Sequence, residues 1–90
     1  MAITFDPKKD VLNRRKHGIS LADAAAFEWD TAVIWTDQRF HYNELRECGL
    51  GLIGKTLYFV VFVQQGNSER IISLRKANKA EVRRYATYRT

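Results

Sequence analysis

The chain has 90 residues and a mass of 10.5 kDa, which is enough for one small domain. Hydrophobic residues make up 46% and there is one proline, a composition that supports a core and excludes low-complexity disorder. The longest apolar run, residues 57–63, is far short of the about 20 residues of a transmembrane helix. No secretory signal is recognisable, and Cys48 has no second cysteine to pair with. We therefore expect a cytoplasmic protein without membrane contact.

The net charge of +5 is unevenly distributed along the chain. Residues 1–20 carry a net charge of +3, residues 21–68 carry −3, and residues 69–90 carry +5. If the two basic ends meet in the fold, they form a basic face that suits a polyphosphate, because each neutralised phosphate releases counterions. The alternative is a solvated surface that only keeps the protein soluble.

The first elements in chain order are a strand and a helix. A short strand is predicted over residues 2–5. Asp6 and Pro7 then start a helix, because Asp caps the free amides and Pro fits the first helical position. The helix reaches about His17, and Gly18 supplies the left-handed residue that ends it.

A second helix and four strands are predicted next. Ser20 caps the helix, which reaches about Trp29. Patterns of β-branched and aromatic residues then predict extended segments at residues 32–36, 40–47, 55–64 and 69–74. We expect Gly49, Gly51 and Gly54 to break the chain between the second and third of these segments.

The third extended segment is the centre of the predicted sheet. Residues 57–63 are apolar on both faces, which is typical of a strand covered on both sides. Residues 65–68 form a tight connection, so the last two strands make a hairpin. Asn78 and Glu81 form a variant capping box for a final helix. The predicted fold is α+β, with a strand, two helices, an antiparallel meander and a C-terminal helix.

Known catalytic motifs are absent from the sequence. No phosphate-binding loop, dinucleotide fingerprint, serine-hydrolase elbow or zinc-protease motif occurs. His17 and His41 stand 24 positions apart without a third nitrogen or sulfur ligand, so we expect no metal and no cofactor. The remaining candidates are three clusters of basic, polar and aromatic residues.

The first cluster is Asn13, Lys16 and His17, which share one helical face. They lie in the last turns of the first helix, where the carbonyl end of the dipole favours protonated Lys and His. In a phosphate site, Lys16 and His17 would pair with the anion and Asn13 would donate a hydrogen bond. In the alternative, His17 packs or caps the helix end and Lys16 is solvated.

The second cluster is Tyr42, Glu44 and Arg46, which alternate along a predicted strand and so share a face. Glu44 is a candidate general base, and Arg46 is a candidate for stabilising charge on phosphorus. The alternative is an edge strand kept polar against aggregation. Asp37 and Arg39 precede this strand, and we expect them to form a structural ion pair.

The third cluster is Ser73 and Arg75 at the end of the predicted hairpin. Ile72 and Leu74 would face the core, which leaves Arg75 on the opposite face. The planar fork of Arg75 suits bidentate contact with a phosphate. The alternative is a salt bridge from Arg75 to Glu44 or Glu81.

Two tyrosines of the final helix, Tyr85 and Tyr88, are candidates for stacking on bases. Stacking on an aromatic ring contributes ~1–3 kcal/mol per base. For Tyr85 we favour the alternative, in which the ring closes the core under the final helix.

The order of several motifs resembles the BrnT-type toxins, which are small toxins of type II toxin–antitoxin operons. The motifs that carry the resemblance are Phe-Asp-Pro-Lys-Lys at residues 5–9, Asn13, Lys-His-Gly-Ile at 16–19, Asp-Gln-Arg at 37–39, Tyr42 with Glu44 and Arg46, Arg-Ile-Ile-Ser-Leu-Arg-Lys-Ala at 70–77, and Glu81, Arg84 and Tyr85. They extend over nearly the whole chain, which is therefore interpreted as one BrnT-like domain over residues 1–90.

The resemblance implies a RelE-like fold and a metal-independent endoribonuclease that inhibits translation. We expect Arg46 and Arg75 to stabilise the phosphate, Lys16 and His17 to bind phosphate or transfer protons, and Glu44 to be the base if a carboxylate is used. The residues expected to bind RNA are Asn13, Arg39, Lys76, Arg84 and Tyr85.

The implied partners are RNA, free or on the ribosome, and a BrnA-type antitoxin, a ribbon-helix-helix protein that binds DNA. The toxin would contact operator DNA only through this antitoxin. Two other functional classes are compatible with the residues. One is a non-catalytic RNA-binding module. The other is a protein-interaction domain whose exposed sheet face pairs with an antitoxin-like chain.

Overall fold

A computed structural model of the chain describes residues 2–39 and 43–89. The N-terminal part contains strand β1 (Ala2–Thr4), helix α1 (Pro7–His17) and two 3-10 helices, Leu21–Ala26 and Trp29–Thr31. The rest contains strands β2 (Val33–Thr36), β3 (Glu47–Ile53), β4 (Thr56–Gln65) and β5 (Ser68–Lys76), followed by helix α2 (Lys79–Arg89). None of the described helices is long and apolar enough to cross a bilayer.

Helix α1 begins and ends as its capping residues predict. The Asp6 carboxylate accepts a hydrogen bond from the Lys8 N–H at 2.9 Å. At the other end Gly18 adopts a left-handed conformation with φ of 73°, and its N–H donates to the Arg14 carbonyl at 2.8 Å. The predicted helix to His17 is confirmed.

The second predicted helix is correct in its cap and wrong in its length and type. The Ser20 hydroxyl accepts from the Ala22 N–H at 3.1 Å, but a 3-10 helix follows and ends at Ala26. Leu21, Ala24 and Phe27 are all buried. A spacing of three residues places side chains on one line of a 3-10 helix, whereas an α-helix would turn them apart.

The described strands form one mixed sheet in the order β1-β5-β4-β3-β2. Strands β2 to β5 make the predicted antiparallel meander, and β1 pairs with β5 in parallel. Gly66, with φ of 58°, lies in the tight turn of the β4–β5 hairpin. These features confirm the α+β class, while likeness to RelE stays a prediction.

Strand β4 lies at the centre of the sheet and is covered on both faces, as predicted. Val60 and Phe62 pack into a core cluster with the 3-10 helix, whose Leu21 is fully buried. Phe59 and Val61 pack on the other face in a second cluster, which is joined by side chains of β2, β3 and α2. The two clusters give each face of the sheet its own small core.

The predicted strand at residues 40–47 is wrong where the structure describes it. Residues 43–46 are not in a strand, β3 begins at Glu47, and residues 40–42 lie outside the described part. Gly49 and Gly51 belong to β3 and do not break it. A Cβ on Gly51 would lie 2.5 Å from Cζ of Phe27, so this glycine makes room for the buried ring. Gly54, with φ of 61°, forms the turn into β4.

A β-bulge changes which residues of β5 face each core. Val61 pairs with Ser73 and Phe62 pairs with Ile71, so Ile72 is an extra residue on β5. Leu74 packs in the first cluster and Ile72 against the second. The prediction that Ile72 and Leu74 share a face is therefore wrong.

Helix α2 begins with the predicted capping box. Oδ1 of Asn78 accepts from the Glu81 N–H at 2.8 Å, and Oε1 of Glu81 accepts from the Asn78 N–H at 2.9 Å. Tyr85 packs against the second core cluster, as expected of a residue that closes the core under this helix. The start of α2 is thus fixed next to the end of β5.

Candidate active site

Arginine side chains gather on the sheet face covered by α2. Arg70 pairs with Val63 and Arg75 with Phe59, and both β4 residues lie on the side of the second core cluster. The other members come from the segment between β2 and β3 and from α2. We call this surface the arginine face and define it by Arg39, Arg46, Arg70, Arg75 and Arg84.

Aromatic rings form the floor under part of the arginine face. The guanidinium carbon of Arg75 lies 4.3 Å from the centroid of the Phe59 ring, and that of Arg39 lies 5.7 Å from it. Arg84 lies 4.0 Å from the centroid of the Trp35 ring, which is 6.0 Å from that of Phe59. Cation–π contacts of this kind stabilise a guanidinium group without using its N–H donors.

Arg75 is held by a bidentate ion pair. Its Nη1 and Nη2 donate to the two carboxylate oxygens of Glu81 at 2.8 and 2.9 Å, and Nη1 also donates to the Lys76 carbonyl at 3.2 Å. Of the five N–H donors of a guanidinium group, the Nε–H and the second Nη2–H have no partner among the described residues. These two point along one edge, which can bind a phosphate bidentately.

The contact between Arg75 and Glu81 is one of the two salt bridges considered from the sequence. Burial alone would raise the pKa of Glu81. Hydrogen bonds from Arg75 and from the Asn78 N–H, together with the charges of Arg75 and Arg39, outweigh burial and lower the pKa. Glu81 therefore stays ionised and holds Arg75 by the end opposite its side-chain stem.

The ion pair between Asp37 and Arg39 is confirmed. Arg39 donates from Nε and Nη2 to the two carboxylate oxygens of Asp37 at 2.8 and 3.0 Å, and the Asp37 side chain is fully buried. Burial, with the negative charge of Asp37 beside it, raises the pKa of Cys48 to about 11. Cys48 is therefore a protonated thiol and not a nucleophile.

His17 lies at the end of α1, close to the arginine face. Burial and the positive charges of Lys16 and Arg75 lower its pKa. Because the pKa lies below its ordinary value, neutral imidazole is the main form at pH 7, which differs from the protonated form expected at a helix C-terminus. A neutral imidazole next to an arginine is able to accept a proton from a hydroxyl group.

Asn13 is buried and its amide is used by the protein itself. Its Nδ2 donates to the carbonyls of Ile19 and Leu74 at 2.9 and 2.8 Å, and its Oδ1 accepts from the Leu74 N–H at 3.1 Å. The side chain therefore bonds to the edge of β5 as a neighbouring strand would, and it fixes α1 there. The expected contact of Asn13 with RNA stays a prediction.

Glu44 lies at a different place on the arginine face. It accepts from Nη2 of Arg70 at 2.5 Å and lies 3.9 Å from Nε of Arg46. Arg70 pairs with Val63 and Arg75 with Phe59, four residues apart on β4, or about 13 Å along a strand. Glu44 and Arg46 therefore associate with Arg70, whereas Lys16 and His17 line a groove beside β5, where the charge of Arg75 acts on His17.

The other expected RNA-binding residues are spread over both sides of the sheet. Arg84 lies on the arginine face, whereas Lys76 pairs with Tyr58, whose ring packs on the opposite core. Tyr42 and His41 lie outside the described residues.

Arg70 is a member of the arginine face that sequence reasoning did not select as a site residue. Residues 70 and 75 are five positions apart, so a regular strand would place them on opposite faces. The bulge at Ile72 brings Arg70 and Arg75 to the same face. A strict alternation pattern therefore could not have identified them as a pair.

Two comparisons with known proteins agree with this architecture. A family model described as the ribonuclease toxin BrnT of a type II toxin–antitoxin system matches residues 5–81. The crystal structure of the Brucella abortus ribonuclease toxin BrnT is similar, with a TM-score of 0.68 and 26% identity over 88% of this chain and 99% of that one. No curated protein sequence gives a significant match. The chain therefore belongs to the BrnT family of ribonuclease toxins of type II toxin–antitoxin systems.

Proposed function

We propose that this protein is an endoribonuclease that cleaves RNA without a metal ion and thereby inhibits translation. Membership of a ribonuclease toxin family supports the RNA substrate. The observation that carries the proposed mechanism is the placement of Lys16 and His17 in one groove beside β5, where the charge of Arg75 helps to lower the pKa of His17.

The reaction uses the ribose 2′-hydroxyl as the nucleophile. Its proton is lost to a base, the oxygen attacks the adjacent phosphorus, and the bond to the 5′-oxygen of the next nucleotide breaks. The products are a 2′,3′-cyclic phosphate and a 5′-hydroxyl, which gains a proton. A positioned acid or base contributes roughly 10²–10⁴-fold to such a step. Preorganised charge at the phosphate often contributes more.

Arg75 is the proposed ligand of the reacting phosphate. Its edge with the Nε–H and the second Nη2–H matches two non-bridging oxygens, while Glu81 and the Phe59 ring hold the guanidinium in place. Lys16 adds a second positive charge beside it, because both Lys16 and Arg75 act on His17.

His17 is the proposed base. From the sequence, Glu44 is the expected carboxylate base, but its Oε1 accepts from Arg70, whose backbone position lies about 13 Å along the sheet from that of Arg75. His17 has its pKa lowered in part by the charge of Arg75, and its neutral ring has a free electron pair to accept the proton. Glu44, Arg46 and Arg70 are assigned to a neighbouring nucleotide of the substrate.

A BrnA-type antitoxin is the proposed partner that neutralises the toxin. A type II system includes a protein antitoxin. We propose that it covers the arginine face, that it carries the ribbon-helix-helix DNA-binding domain, and that operator DNA is contacted through it alone. We also propose that the arginine face resembles the RNA-binding side of RelE-like toxins, acting on RNA that is free or bound to a ribosome.

The test is RNA cleavage by the purified chain, freed of antitoxin, in excess EDTA. Arg75→Gln should lower the cleavage rate by about 10²-fold, the usual effect of removing one donor to a reacting oxyanion. Arg83→Gln is the matched control, because it removes the same charge from an exposed position on α2 and should cut at the original rate.

Circular dichroism should show that both variants are folded. Cleavage that occurs only on RNA bound to translating ribosomes would also support the proposal. In that case the cleavage must persist in EDTA, with the ribosomes stabilised by polyamines. RNA binding without any strand break, in either setting, would overturn it. So would full activity of Arg75→Gln.

A further inference from the structure

We propose that the groove between α1 and β5 is a second phosphate subsite, in which Lys9 binds the RNA backbone that flanks the cleaved link, while Lys16 stays at the end of the groove next to the reacting phosphate. This inference rests on the proposed function and names where the rest of the substrate lies. No expectation from the sequence included Lys9.

The groove has a volume of about 180 Å³ and open access from solvent. Lys9, Asn13 and Lys16 stand at i, i+4 and i+7 on α1, so they share the helix side that faces β5. Among the described residues that line it, three are Lys or His and none is acidic. They are Lys9, Leu12, Asn13, Lys16, His17, Ile72 and Ser73.

The positive charge of the groove is not neutralised by the one acidic residue of α1. The carboxylate of Asp10 accepts from the Ser20 hydroxyl at 3.0 Å and from the Leu21 N–H at 2.7 Å, and it pairs with Arg14 at 3.4 Å. These contacts hold Asp10 on another side of the helix. Within the described part of the chain, no salt bridge includes Lys9 or Lys16.

The groove is continuous with the arginine face. His17 lines the groove, and the charge of Arg75 contributes to the lowering of its pKa. Ile72 forms part of its wall and also packs on the cluster of Phe59 and Val61, which is the floor of the arginine face. An RNA strand bound at Arg75 can therefore continue past His17 and Ile72 into the groove.

The dimensions of the groove fit a short stretch of nucleic acid. Lys16 is seven positions after Lys9 on α1, which is about 10 Å along the axis. That length corresponds to the axial rise of roughly three nucleotides in a stacked strand, at ~3.4 Å per nucleotide. Leu12, which is 60% exposed, and Ile72 offer apolar contact to sugars or bases between the lysines. Charge and shape both favour RNA as the occupant.

The experiment compares Lys9→Gln with Lys8→Gln. Both changes remove one charge from the first turn of α1, and Lys8 is exposed but does not line the groove. The probes are two 2′-O-methyl RNAs that resist cleavage, one of three nucleotides and one of about ten, with binding measured by fluorescence anisotropy over a range of salt concentrations. For the longer RNA, Lys9→Gln should weaken binding several-fold and reduce the slope of log K against log salt by ~0.7.

The short RNA serves as the internal control. Its affinity should be equal for Lys9→Gln, Lys8→Gln and the original chain. In cleavage assays Lys9→Gln should raise KM for long RNA and leave kcat unchanged. Equal effects of Lys8→Gln and Lys9→Gln would overturn the subsite, as would equal losses for short and long RNA.

Two further outcomes distinguish the RNA subsite from the proposed ribonuclease activity and from a protein-docking surface. If the chain binds long RNA in a Lys9-dependent manner but cuts none, the proposed ribonuclease fails and the subsite stands. If Lys9→Gln weakens the complex with the cognate antitoxin while RNA binding is unchanged, the groove is a protein-docking surface and the RNA subsite is wrong.

Discussion

Arg75 illustrates how one side chain can be fixed and still be available to a ligand. Its Nη1 and Nη2 donate to the Glu81 carboxylate, and the plane of the guanidinium group lies on the Phe59 ring. The edge with the Nε–H and the second Nη2–H remains for a phosphate. An arginine held in this way loses little conformational entropy when it binds, because its rotamer is already fixed. Lys at this position could not replace it, since an ammonium group cannot bind Glu81 and a phosphate through two separate edges.

The lowered pKa of His17 leads to a prediction about pH. A general base must be unprotonated, so activity should fall as the pH drops through the pKa of His17, which lies below its ordinary 6.5. At higher pH the rate should level off. The measurement is kcat/KM for RNA between about pH 5 and 8. His17→Gln should lower kcat/KM by about 10²-fold, and its remaining activity should not fall as the pH drops through this range.

Arg75→Lys is the control for this pH profile. Its kcat/KM should be low as well, but it should still fall at low pH because His17 is present. An unchanged acid limb in His17→Gln would show that another group is the base, and Glu44 would then be the first alternative to examine.

At the scale of elements, capping residues and local patterns predicted helices and turns well. Asp6, Gly18 and Asn78 act within a few residues of themselves, and their structural effect is visible in the sequence alone. Strand boundaries in the middle of the chain were harder to predict. Glycines spaced as Gly49 and Gly51 are typical of a break between two strands, yet both lie inside β3.

The reason for this error is a contact between distant residues. Gly51 is needed because the Phe27 ring occupies the space of its missing side chain. No local pattern around residue 51 reveals a ring that comes from residue 27. The bulge at Ile72 has the same character, because it is fixed by pairing with β4 and decides which arginines share a face. The sequence yields candidate site residues whose roles stay predictions, but it does not show that Arg70 and Arg75 share a face.

The packing of Phe27 on β3 gives a prediction about stability. Gly51→Ala should reduce the free energy of unfolding by about 1–3 kcal/mol, because the new methyl group overlaps a buried ring. Urea denaturation at pH 7 measures it. Gly49→Ala should cost less, since its nearest neighbour is Cδ1 of Ile34, the flexible end of a side chain that is 38% exposed.

A double variant is the check on this explanation. Phe27→Leu costs stability by itself because it opens a cavity, but Gly51→Ala should be less harmful in that background than in the original chain. Additive effects of the two changes would contradict the steric explanation.

At the scale of the whole molecule, the two basic ends of the chain meet, as the charge distribution suggested. The hydrogen bonds between Asn13 and Leu74 join α1 to β5 and bring His17 into the field of Arg75. The acidic residues of the middle segment lie partly in the 3-10 helices on the other side of the sheet, as Asp23 and Asp30 do. The meeting of α1 and β5 thus gathers basic residues from both ends of the chain on one part of the surface, which attracts a polyanion.

The central claim is that this basic side cleaves RNA through the ribose 2′-hydroxyl with protein groups alone. The most direct measurement is the chemistry of the new ends formed when the purified chain cuts a labelled RNA in excess EDTA. We expect a 2′,3′-cyclic phosphate at the upstream end and a 5′-hydroxyl at the downstream end. Fragments with 3′-hydroxyl and 5′-phosphate ends, or cleavage that appears only when Mg²⁺ is added back, would contradict it.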